Sequence, residues 1–223
     1  MKALLYKEFK LAMHPINYIF ICLFPLMILI PSYPIGIGFI YILSCYPILF
    51  LGANKGQQSN DLLFSTLLPV RKKDIVLARI ITCSIMQFAF MAIMAALLPI
   101  ANQIHASIPG EEIPGLGIDA FVSVLAIAVV GYSIADIIFF AIYYKHGKSI
   151  VMSTLLTILG FIVYLSVLTI GLPFIPGLEW YKDTLSGPLW IQFIVLGVSL
   201  IFYVILHFVT YKISSKELEK VDF

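Results

Sequence analysis

Apolar residues fill this chain in long runs, and polar positions gather into a few short interruptions between them. Six runs stand out, at about 16–31, 35–53, 75–101, 120–143, 150–172 and 189–211. Most reach the roughly 20 residues a helix needs to cross the hydrocarbon core of a bilayer. The pattern therefore predicts an all-α polytopic membrane protein with six transmembrane helices in one domain spanning 1–223. The first two runs are short and broken by Pro25, Pro31, Pro34 and Pro47, with only Ser32, Tyr33 and Pro34 between them. They read as two spans with a tight outer turn or as one long kinked span. Ahead of them, residues 1–14 place Met1, Leu4, Leu5, Phe9, Ala12 and Met13 on one helical face and Lys2, Lys7 and Lys10 towards the other. That is the pattern of an amphipathic helix lying on the cytoplasmic surface, and it equally suits a helix docking a soluble partner. No small-residue cleavage site follows, so the run from Ile16 reads as an uncleaved first helix.

The longest polar interruption is Asn60 to Arg79, NDLLFSTLLPVRKKDIVLAR. Leu62, Leu63, Phe64, Leu67 and Leu68 recur at helical offsets between its charges. Asn60 can cap the helix by accepting a first-turn amide proton. Pro69 ends it near Leu68, because proline disfavours helical geometry in the residue before it. Asp74 restarts a helix that is apolar from Ile75 onward. The expected result is a short, stiff cytoplasmic knuckle feeding the third span.

Charge placement decides the topology. With six spans and both termini in the cytoplasm, the inner segments hold every one of the 14 basic residues except Lys182, the bias that the positive-inside rule demands. Merging the first two runs would put Arg71, Lys72 and Lys73 outside, so the hairpin is preferred. The outer loop 102–119 carries Glu111, Glu112 and Asp119 without a single Lys or Arg. The outer segment 173–188 sets Trp180 and Tyr181 beside Glu179, Lys182 and Asp183, which suits a short interfacial or re-entrant helix. Composition agrees with the bilayer reading: 61% of residues are apolar and 12% charged, against about 25% charged in soluble domains. A net charge of +2 gives no case for nucleic acid.

Enzyme chemistry finds little support. Gly147-Lys148-Ser149 ends like a phosphate-binding loop, but Ile142 stands where that motif needs a glycine. Cys22, Cys45 and Cys83 are scattered through apolar runs and read as packing residues. The four histidines share no metal-ligand spacing. What remains is intramembrane polarity. Asp136 lies about eight residues, or about 12 Å, from the inner end of its span. An acid at that depth is either paired structurally or takes part in coupling or substrate passage. Its candidate partners are Tyr132 and Ser133 on its own helix and Arg79 at similar depth. Arg79, Cys83 and Gln87 form one polar stripe at four-residue spacing; Ser153 and Thr157, with Ser149 and Gly160, form another. Such stripes serve close helix packing or line a pathway. Tyr203 and His207 form a further pair, with His207 facing Asp136 or reaching to the interface.

The Asn60–Arg79 sequence resembles the signature of small ABC-2-type permeases, the membrane halves of ATP-binding-cassette exporters. The opening MKALLYKEFK resembles that family's N-terminal elbow helix. The resemblance implies a type V exporter fold in a bacterial cell membrane, with two permease subunits, identical or related, forming the pathway. It implies no catalysis in this chain and no cofactor of its own; ATP and Mg would sit in a dimer of separate cytoplasmic ATPase subunits. Those subunits would be gripped by the coupling helix through Asn60, Asp61, Leu63, Phe64, Leu67, Leu68, Arg71 and Lys72. A second contact would come from the inner turn with Lys145, His146 and Lys148. Likeness to phenol-soluble-modulin exporters implies an amphipathic or antimicrobial-type peptide as substrate. A membrane immunity or regulatory protein is the alternative; an ATP-independent channel or carrier is disfavoured, since it would usually need more than one intramembrane acid.

Overall fold

The computed structural model describes residues 2–12, 15–29, 70–106, 121–145, 150–168 and 188–220, and every element within them is helical. Helix α1 (Lys2–Lys7) runs into a π-helical turn, Glu8–Ala12. Helix α2 (Pro15–Leu23) tightens into a 3-10 segment, Phe24–Leu29. Then come α3 (Lys72–Ala106), α4 (Phe121–Lys145), α5 (Ile150–Ser166) and α6 (Leu189–Lys220). Among the described residues, three segments are long and apolar enough to cross a bilayer: Lys72–Ala101, Val122–Lys145 and Leu189–Lys220. They coincide with the third, fourth and sixth runs of the sequence. Helix α5 provides a shorter apolar helix, Val151–Ser166. Residues 30–69, with the second run and the expected coupling helix, 107–120 of the outer loop, the inner-turn residues 146–149, and 169–187 lie outside the described residues.

Helix α4 is the centre of the bundle. It packs most extensively against α6 and next against α5, while α3 closes the remaining side against α6, α2 and the 3-10 segment. No position from 122 to 144 is exposed. The reason lies in the sequence of α4: it is apolar all round, and small residues (Ala126, Ala128, Gly131, Ser133, Ala135) admit neighbours on several sides. Its inner end carries two buried aromatic ladders at four-residue spacing. Phe139 stacks on Tyr143 at 5.8 Å and Phe140 on Tyr144 at 6.3 Å between ring centroids. The outer helices behave differently. Helix α5 turns Val151, Leu155, Leu159 and Ile162 outward, and α6 turns Trp190, Phe193, Ile194, Val198 and Ile201 outward. Faces this apolar and this exposed suit acyl chains rather than water.

Several local devices hold the helices together. The Asp74 amide donates to the Arg71 carbonyl at 2.9 Å, closing the turn that starts α3, and Asp74 sits in the first turn, where a negative charge meets the helix dipole. At the outer end, the Gln192 side-chain oxygen accepts the Val122 amide proton at 3.3 Å, so α6 satisfies a donor that α4's first turn cannot pair internally. The Tyr164 hydroxyl donates to the Ile127 carbonyl at 2.9 Å and ties α5 to α4. Gly160 lets α5 approach closely, because a β-carbon there would run into the end of the Ile138 side chain.

Element ends depart from the pattern read along the chain. Helix α3 does not stop at Ala101; it passes through an exposed Pro99 and continues to Ala106, taking the first five positions of the expected outer loop into the helix. Helix α6 likewise runs unbroken past Tyr211 to Lys220. The N-terminal segment is also rotated from the expected amphipathic face. Leu4 is buried as its spacing suggests, and Lys2 and Lys10 are exposed, but Lys7 and Glu8 are turned inward.

Candidate functional site

The polar stripe of α3 faces the middle of the bundle and carries two buried clusters about 12 Å apart along the helix, from the eight-residue rise between Arg79 and Gln87. Arg79, Cys83 and Gln87 are all buried. Four-residue spacing puts them on one side of α3, and only polar company on the neighbouring helices makes that side habitable for an arginine and an amide.

The lower cluster joins the N-terminal segment to α3. Glu8 approaches the Arg79 guanidinium, with Oε2 3.4 Å from Nε, and Oε1 lies 3.7 Å from the Lys7 ammonium. The Glu8 and Arg79 side chains are 1% and 2% exposed, so this pair is almost wholly withdrawn from solvent. This partnership differs from the expected one: Arg79 engages Glu8, not Asp136. Glu8 was not singled out from the sequence. The available signal was its isolation, since it is the sole acid before Asp61.

The upper cluster joins α3, α4 and α6. The Gln87 amide Nε2 donates to Asp136 Oδ2 at 2.8 Å, and the Tyr203 hydroxyl donates to Gln87 Oε1 at 2.7 Å. His207 Nε2 lies 3.0 Å from the same Asp136 Oδ2, while Nδ1 lies 2.9 Å from the Tyr203 carbonyl oxygen. The His207 and Tyr203 rings stack at 3.8 Å, and Phe88 meets Tyr203 edge-on at 5.2 Å. Asp136 is 0% exposed. Its other oxygen, Oδ1, and the hydroxyl of Tyr132 one turn away have no hydrogen-bond partner among the described residues. Ser133 is not a partner, because its hydroxyl donates to the Val129 carbonyl of its own helix at 2.9 Å.

The remaining sequence candidates fall into two groups. Ser153 and Thr157 are buried on α5, where Thr157 donates to the Ser153 carbonyl at 2.7 Å. Arg71 is exposed just before α3, Lys72 is half-buried at its first position, and Lys145 is exposed at the end of α4. Asn60, Asp61, Leu63, Phe64, Leu67, Leu68, His146 and Lys148 lie outside the described residues. Among the described residues no three His, Cys, Asp or Glu side chains come close enough to hold a metal ion.

What this arrangement can do is mechanical and electrostatic. Helix α3 starts at Lys72 and reaches, through Arg79, the N-terminal segment and, through Gln87, both α4 and α6. A displacement of α3 is therefore felt by every described helix it grips. Searches of curated proteins and of solved structures found no match. A family model described as "ABC-2 family transporter protein" matches residues 3–215, nearly the entire sequence. The chain belongs to that family, as the non-catalytic membrane permease component of a transporter that works with an ATP-binding-cassette ATPase subunit.

Proposed function

We propose that this permease exports amphipathic or antimicrobial-type peptides and that its ATPase drives it by gripping the segment 60–72. In this reading Phe64, Leu67 and Leu68 enter a cleft on the ATPase. Asp61, Arg71 and Lys72 make rim contacts that set the register, and the turn with Lys145, His146 and Lys148 adds a second hold. Closure of the ATPase dimer on ATP and Mg tilts α3, and two permease copies, or one copy and a related subunit, open the pathway between them. The observation that carries the reading is the unbroken helix from Lys72 through Arg79 and Gln87. It gives a push at the knuckle a stiff path to the buried clusters. The peptide cargo is supported by the resemblance of the Asn60–Arg79 stretch.

The test uses the chain with its ATPase in lipid vesicles, with ATP-dependent movement of a fluorescent amphipathic peptide as the readout. Phe64→Asp is expected to abolish complex formation or substrate-stimulated ATP hydrolysis while the permease still inserts in the membrane. An intact, fully stimulated complex would remove the knuckle from the mechanism. A complex that forms without moving peptide would favour an immunity or regulatory role.

A further inference from the structure

We propose that Asp136 and His207 hold a single shared proton, making the upper cluster a buried proton-binding site that sets how firmly α4 and α6 are joined. The argument is a count of donors and acceptors. His207 Nδ1 faces the Tyr203 carbonyl at 2.9 Å. A carbonyl only accepts, so Nδ1 carries a hydrogen. A neutral ring then has a bare Nε2, and that lone pair points at Asp136 Oδ2 from 3.0 Å. An ionised carboxylate facing a bare nitrogen is two acceptors in contact, which repel. The contact is attractive only with a proton in it. Either an imidazolium donates to a carboxylate, or the Oδ2–H of a carboxylic acid donates to a neutral imidazole.

Both states carry one proton and no net charge, which is what an apolar setting favours. Gln87 is compatible with both. Its carbonyl is occupied by the Tyr203 hydroxyl, which orients its amide N–H towards Oδ2. Removing the proton leaves two outcomes. The bare nitrogen and the carboxylate push apart, or the ring moves its hydrogen to Nε2 and forfeits the bond to Tyr203. Adding a second proton puts it on the unpartnered Oδ1 and leaves an imidazolium without a counter-charge. The joint between α4 and α6 is therefore tightest with one proton and loosens when that proton is lost. The other ionisable groups that act on Asp136 are Cys83 on α3, Tyr132 on α4 and Tyr203 on α6; the Glu8–Arg79 pair lies about 12 Å away along α3. Glu8 and Arg79 offset each other's charge.

The site stands apart from the proposed peptide export, and its test needs neither ATPase nor cargo. The full-length chain, labelled with nitrogen-15 histidine and carbon-13 aspartate, is placed in lipid nanodiscs and titrated by solid-state magnetic resonance. A His207→Gln sample assigns the His207 signals among the four histidines. The expected result at neutral pH is a hydrogen on Nδ1 and one proton shared between Nε2 and Asp136 Oδ2. On titration the Asp136 carboxyl and the His207 ring then change together at a single common midpoint, as coupled groups do. Asp136→Asn sharpens the test, because Gln87 Nε2 and His207 Nε2 both meet Oδ2, where an asparagine places either an oxygen or an NH2 but no ionisable group. That variant has no carboxyl to share a proton with His207, so the coupled change is expected to vanish from the His207 signals. Separate midpoints for the two residues, or a neutral ring at pH 7 with its hydrogen on Nε2 and Nδ1 bare, would overturn the proposal. So would an unchanged His207 signal in Asp136→Asn. Should that variant fail to accumulate, the common midpoint in the unsubstituted chain decides by itself.

Discussion

Glu8 sits between two cations, with Arg79 Nε at 3.4 Å from Oε2 and Lys7 Nζ at 3.7 Å from Oε1, and that position makes it worth more than either neighbour. Glu8→Gln leaves two positive charges adjacent in a buried setting. Removing one partner of a buried pair costs about 3–5 kcal/mol, and the lower end, about 3 kcal/mol, is expected here because Lys7 can swing towards the headgroups. Arg79→Met leaves Glu8 with Lys7 and is expected to cost less, about 1–2 kcal/mol on the same principle. Thermal unfolding of the two variants in nanodiscs measures the order; an Arg79→Met variant less stable than Glu8→Gln would show that the guanidinium, not the carboxylate, organises the cluster. The asymmetry was hidden in the sequence for a physical reason. A helical wheel assigns Lys7 to the polar face by its charge alone, whereas burial of the Lys7–Glu8 pair is tied to Arg79, 71 positions after Glu8. Asp136 was legible as an intramembrane acid because isolation in an apolar run is a local property. Of its partners, His207 was one of two alternatives legible in the sequence and is the one the structure shows at 3.0 Å. Gln87 was legible only as part of a stripe, since no spacing within one helix reports a contact to another.

Helix positions were the easiest part to read, since α3, α4 and α6 each exceed the length that a bilayer demands. Helix ends were harder. Pro99 reads as a stop in a soluble chain but is carried on the exposed face of α3, and nothing in the residues 102–106 breaks the helix before Ala106. Packing between α4 and α5 was legible as a small-residue stripe, and Gly160 is where it has a sharp consequence. A β-carbon there meets the end of Ile138, a flexible group. Gly160→Ala is expected to be nearly neutral once Ile138 turns aside, because the helix also gains from losing a glycine. Gly160→Leu forces the two helices apart and is expected to cost about 1–3 kcal/mol, the range for overpacking. Adding Ile138→Ala should recover a good part of that loss, since the two residues are in contact and their effects do not add. Unfolding midpoints of the single and double variants check this, and strict additivity would mean that the stripe does not set the α4–α5 distance.

At the level of the whole molecule, the end of the bundle where α3 starts and α4 and α6 finish is where the proposed function has a soluble partner act. Helix α6 continues past Tyr211 to Lys220, burying Leu218 in the same apolar cluster as Val76 and Ile80 of α3 and Tyr143 and Tyr144 of α4. Alongside, Lys73 and Glu219 pair at 3.2 Å, but their side chains are 50% and 47% exposed. Those two features make opposite predictions about what braces the start of α3. A half-exposed ion pair contributes within about 1 kcal/mol, so Glu219→Lys should leave both folding and ATPase stimulation close to the parent. Leu218→Asp puts a charge into an apolar cluster, one of the few mechanisms that destabilise by more than about 3 kcal/mol. Its effect should be local, because Leu218 lies two residues before the last residue of α6, in the polar stretch past Tyr211. The expected outcome is rapid hydrogen exchange across residues 212–220 and weakened ATPase stimulation, with the Gln87–Asp136–His207 network and membrane insertion retained. If Leu218→Asp stimulated its ATPase normally despite that exchange, the extension would be an ornament of the helix, and the stiffness of α3's first turns would have to come from the N-terminal segment through Glu8 and Arg79 alone.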